Sequence, residues 1–104
     1  MPEPATLQYA GLLIAVGLLT TALLARHLGT VTRAYRVWHD ERAALAVVLA
    51  IGLFVISTAL LVGAFGLLID NYEFHLAGLS AARGAFFTMA LTLVLASRSL
   101  DERP

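Results

Sequence analysis

The residues best suited to hold a cofactor are His27, His39 and His75, because an imidazole nitrogen can ligate haem iron or chlorophyll magnesium. His27 and His39 are twelve residues apart, about 120° on one helix, so they do not converge on one ligand. His75 falls in a different polar segment, on the other side of a membrane by the charge pattern below. Single axial ligation of a pigment by His27, His39 or His75 is the only such geometry the spacing leaves open. A second group is Asp70, Glu73 and Arg83, with Arg83 in reach of either acid across a short loop. An exposed ion pair of that kind contributes under about 1 kcal/mol.

Other chemistry is excluded by composition. Cysteine is absent, which removes disulfides, thiolate metal sites, iron–sulfur clusters and c-type haem attachment. There is no phosphate loop, no Ser/His/Asp constellation and no metal-ligand spacing. Net charge is zero, which argues against nucleic acid as a partner, and all seven cations are Arg. No catalytic residue, metal or cofactor other than bound lipid is expected, and the chain does not read as an enzyme.

The elements that carry these residues are defined by where charge is missing. Ala5–Ala25, Ala43–Ile69 and Ala77–Ser97 contain no Asp, Glu, Lys, Arg or His apart from Arg83, near the start of the third. As helices they rise about 31, 40 and 31 Å, enough to cross a hydrocarbon core of about 30 Å. The expected fold is all-α: one integral membrane domain with three transmembrane helices, joined by a connection over 26–42 and a loop over 70–76. A soluble three-helix bundle would need a polar face on each helix, and none has one. Met1-Pro2-Glu3-Pro4 carries an acid and no base, unlike a secretory signal, so the first stretch is expected to stay in the mature protein.

Arginine placement sets an orientation. Arg26, Arg33, Arg36, Arg42, Arg98 and Arg103 fall on one side and only Arg83 on the other, which puts the N-terminus outside and the C-terminus in the cytoplasm. Tyr9 and Tyr72 then lie near the outer boundary, and Tyr35 and Trp38 near the inner one, as interfacial aromatics do. The expected location is a bacterial or archaeal cytoplasmic membrane, or an intracytoplasmic membrane derived from it.

In the connection, Leu28, Val31, Tyr35 and Trp38 recur at helical spacing opposite Arg26, Arg33, Arg36 and Asp40. Gly29 and the β-branched Thr30, Val31 and Thr32 weaken helix there. The pattern predicts a break after the first span and then a short amphipathic helix on the inner leaflet. Arg33, Tyr35, Arg36 and Trp38 would hold it to headgroups or dock a partner.

Small residues form rows. Ser80, Gly84, Thr88, Thr92 and Ala96 recur every four residues through the third span. Shorter rows are Gly17, Thr21 and Ala25 in the first span, and Ala46 and Ala50, then Ala59 and Gly63, in the second. Lipid is as apolar as Leu, so helices in a bilayer associate where small side chains let backbones approach. Thr20, Thr21, Ser57, Thr58, Thr88 and Thr92 are the polar side chains in the interior of the spans and can bond their own backbone. With no ionisable group expected at mid-membrane, a pump or transporter acting alone is not expected.

These readings converge on a small non-catalytic subunit of a larger membrane complex of respiratory, photosynthetic or translocation type. It would pack against other transmembrane helices, of different chains or of its own copies. In overall plan, with three spans, an outside N-terminus and a cytoplasmic C-terminus, the chain also resembles the three-span phage holins. That resemblance implies a self-assembling pore-former.

Overall fold

The structure is a computed structural model that describes residues 4–101. It consists of three helices: α1 (Pro4–Trp38), α2 (Glu41–Leu68) and α3 (Tyr72–Asp101). All three are long and apolar enough to cross a membrane, which is compatible with a membrane location. Pro4 opens α1, where a missing N–H is harmless.

Both turns are built from side-chain caps. Between α1 and α2 only His39 and Asp40 intervene. His39 takes a left-handed backbone (φ 51°), and Asp40 Oδ1 accepts the Ala43 N–H at 2.7 Å to start α2. The α2 end is a Schellman motif with Asp70 (φ 56°) in the left-handed position usually held by Gly. The Asn71 N–H donates to Gly66 O at 2.9 Å and the Asp70 N–H to Leu67 O at 3.3 Å. Asn71 Oδ1 then accepts the Phe74 N–H at 3.0 Å and starts α3.

The helices lie side by side in a layer with α2 in the middle. Among the described residues no Cα of α1 comes within 8 Å of α3, whereas α2 packs against both. The Cα envelope measures 60 × 23 × 15 Å. Two interaxial spacings of about 9 Å plus a Cα cylinder of about 4.6 Å account for the 23 Å width, and the 15 Å third dimension, about three such cylinders, shows that the layer is not flat.

What is buried is small. The buried residues of α2 are Ala50, Gly52, Ser57, Ala59, Gly63, Ala64 and Gly66. Large side chains such as Leu12, Leu19, Phe87 and Leu91 face outward. Small residues inside and large apolar ones outside is the inverse of a water-soluble bundle and suits a bilayer.

The connection differs from expectation. The chain does not break after Ala25, and a separate short amphipathic helix is not present; residues 26–38 simply continue α1. The Thr30 and Thr32 hydroxyls donate to the carbonyls of Arg26 and Leu28 at 3.1 and 2.7 Å, within the helix. Leu28 and Val31 are half-buried on the side of α1 that meets α2. The apolar face of the segment therefore finds a protein partner, which outweighs the cost of about 1 kcal/mol for Gly29 within a helix.

Candidate functional site

The α2–α3 seam is a backbone-to-backbone contact. A Cβ on Gly78 would stand 2.5 Å from Gly63 N and 2.8 Å from Ala59 O, and one on Gly66 would stand 2.5 Å from His75 N. Farther along, Gly52 receives the side chain of Met89. These pairs set the antiparallel register: Gly66 faces His75, Gly63 faces Gly78, and Gly52 faces Met89. The α1–α2 seam is looser. Gly17 faces Leu61, and the Thr21 and Ser57 hydroxyls hydrogen-bond at 2.7 Å.

Because α2 is engaged on one side of α3 only, the opposite face of α3 is uncovered. Ser80, Gly84, Thr88 and Thr92 are all exposed, and a Cβ on Gly84 would meet nothing within 4 Å. The row advances about 40° per step, so only Ser80 and Gly84 lie on the side away from α2; Thr88 and Thr92 border an open groove of about 300 Å³ shared with Val48, Ile51 and Val55 of α2, and Ala96 is half-buried. The Thr88 and Thr92 hydroxyls are held by their own helix, donating to Gly84 O at 2.9 Å and Thr88 O at 2.8 Å. Arg83 shares this outward face. It makes no ion pair with Asp70 or Glu73; its guanidinium carbon lies 5.6 Å from the centroid of the Phe87 ring, one turn farther along. The expected pairing fails because α3 begins at Tyr72, which carries Arg83 about 16 Å down the helix and away from both acids.

A second feature follows from the gap between α1 and α3. An open groove of about 290 Å³ runs over α2, lined by Leu13 and Gly17 of α1, Ser57 and Leu61 of α2, and His75 and Leu79 of α3. The ring of His75 crosses the seam, with Nδ1 2.7 Å from Gly63 O. A carbonyl only accepts, so Nδ1 carries the hydrogen. His27 and His39 lie on α1 and at the first turn, both exposed, and do not share a site with His75. Among the described residues no group of three His, Asp or Glu could hold a metal.

The third feature is basic. Arg26, Gly29, Arg33 and Arg36 line one shallow groove of about 460 Å³ on the outer side of α1. Tyr35 and Trp38 fall on a different side of the helix and are exposed, with Tyr35 edge-on to His39 at 5.7 Å. The four residues Arg33, Tyr35, Arg36 and Trp38 therefore do not form one cluster. Glu3 and Arg103 lie outside the described residues.

Of the small rows, Gly17 and Thr21 meet α2, Ala59 and Gly63 meet α3, and the longest row starts on the uncovered side of α3 at Ser80 and Gly84 and winds back beside α2 at Thr88, Thr92 and Ala96. Gly52, Gly66, Gly78, Ala82 and Met89 also form the α2–α3 seam. The four-residue spacing of Gly78 and Ala82 was a visible signal, overshadowed by the longer Ser80 row. Comparison with family models, curated proteins and solved structures finds no match to this chain.

Proposed function

We propose that this protein is a non-catalytic subunit that crosses a bacterial or archaeal cytoplasmic membrane three times and packs against transmembrane helices of a larger complex. The observation that carries the reading is the small-residue row of α3, exposed from Ser80 through Gly84 and Thr88 to Thr92 and uncovered at Ser80 and Gly84, on the side of the helix away from α2. A row of small residues is the surface on which bilayer helices approach closely, and here the chain itself supplies no occupant. The groove between α1 and α3 is a second place for a neighbouring helix or a lipid chain. The N-terminus is outside and the C-terminus cytoplasmic, because the basic groove of α1, Arg42 and Arg98 gather at one end of the layer. Arg26, Arg33 and Arg36 then meet anionic headgroups on the inner leaflet.

The test is expression in a bacterium with no partner, with viability and membrane potential followed, alongside purification from the native host. Harmless expression, together with a defined set of co-purifying membrane proteins in the host, supports the subunit. Abrupt lysis or depolarisation would replace it with a self-assembled pore of the holin type. A reporter active only outside the cytoplasm, fused to the C-terminus, should be silent.

A further inference from the structure

We infer that Arg83 is the docking point for a transmembrane helix of another polypeptide that carries an Asp or Glu near mid-bilayer. The inference deepens the proposed subunit role and rests on the three helices crossing a membrane.

The argument begins with depth. The charge-free part of α2, residues 43–69, is about 40 Å long, about 10 Å more than a hydrocarbon core. The bilayer must therefore slide toward one end of it. α1 decides which. With Thr21 opposite Ser57 and Gly17 opposite Leu61, the charge-free part of α1 stands beside the outer portion of α2. The arginine-bearing part of α1 stands beside Ala43–Gly52. The hydrocarbon then covers about twenty residues of α2 counted back from Ile69, to about Ala50.

The α2–α3 register places Arg83 beside Thr58 and Ala59. That is about 16 Å below the outer edge and about 12 Å from the inner one. Arginines near helix ends reach headgroups by snorkelling, but this one is near the centre. Its guanidinium also folds onto Phe87, one turn deeper, rather than back toward Tyr72. A ring face attracts the cation but carries no compensating charge.

Among the described residues no acid lies at that depth. Asp40, Glu41, Asp70 and Glu73 sit at the turns, and Asp101 ends α3. A second copy of the chain has the same distribution and supplies none. Ser80 lies one turn before Arg83 on the same exposed face, and Gly84 opens the adjoining face, where a Cβ would meet nothing within 4 Å and a partner backbone has room to come close. Charge complementarity and clearance together call for a helix with a carboxylate set against Arg83.

The experiment uses the full chain in phosphatidylcholine vesicles, labelled through Tyr72→Cys in this cysteine-free sequence. The probes are two Leu/Ala transmembrane peptides that differ only in Asp or Leu at the central position, with association read by energy transfer. The Asp peptide should bind roughly tenfold tighter than the Leu peptide. Arg83→Leu should erase that preference, and Arg83→Lys should keep part of it. Equal binding of the two peptides to the parent, or a preference that survives Arg83→Leu, overturns the inference. So does loss of phosphatidylglycerol retention in Arg83→Leu without any peptide preference, which would assign the guanidinium to a lipid phosphate. If both peptides bind equally and Gly84→Leu releases both, the docking face stands and only the carboxylate pairing fails. If neither peptide binds, the docking face falls as well.

Discussion

A methyl group added at Gly78 probes the tightest contact in the molecule. Its carbon would stand 2.5 Å from Gly63 N, 2.7 Å from Gly63 Cα and 2.8 Å from Ala59 O, where ordinary contact begins near 3.4 Å. All three are backbone atoms, or the carbon of a glycine, so no rotamer change can relieve the clash. The helices must separate locally by about 0.9 Å, and overpacking of this kind costs about 1–3 kcal/mol. Ala also has a higher helix propensity than Gly, by up to about 1 kcal/mol, which would mask part of the loss. Gly84→Ala carries the same propensity gain at a position with nothing within 4 Å. The difference between Gly78→Ala and Gly84→Ala cancels propensity and leaves the steric term of about 1–3 kcal/mol. The assay is reversible unfolding by SDS in bicelles, followed by energy transfer between labels at positions 42 and 98, which lie at the same end of the layer. Equal stability of the two variants would refute the close approach of α2 and α3 at Gly63 and Gly78.

Three further outcomes follow from the hydrogen bonds and turns. In a double-mutant cycle on Thr21→Val and Ser57→Ala, the 2.7 Å hydroxyl pair should show a coupling of about 0.6–1.7 kcal/mol by the same unfolding assay. Asp40→Ala and Asn71→Ala each remove the acceptor that starts a helix, and each should cost about 1 kcal/mol. Asp70→Gly should raise the midpoint of thermal unfolding, because φ 56° crowds a Cβ by about 1 kcal/mol; Asp70→Val should lower it.

Much of the architecture was legible because the absence of charge over twenty or more residues is a strong signal. Helix ends were less so, for a physical reason. Charge marks where a segment leaves lipid, whereas capping and packing decide where a helix stops. α1 runs thirteen residues past Ala25 because the apolar face of Leu28 and Val31 meets α2. α3 starts at Tyr72 rather than Ala77 because Asn71 caps it, so Arg83 stands about three turns inside the helix rather than near its start. The small-residue rows were visible, but their partners were not. Gly78 and Ala82 face α2 while the longer row starts facing out at Ser80 and Gly84, and spacing alone cannot say which of two faces meets a helix of the same chain. The link between His75 and Gly63 depends on the 141-sum register of α2 and α3, which only the fold supplies.

The subunit role stands or falls on what touches the outward face of α3. The chain has no cysteine, so Ser80→Cys places one thiol on that face, and Leu19→Cys places a control on the exposed side of α1. Thiol cross-linking in native membranes should join position 80 to a different polypeptide of defined mass, with no such product at position 19. Position 80 giving no protein adduct, or only a dimer of the chain itself, would contradict the account.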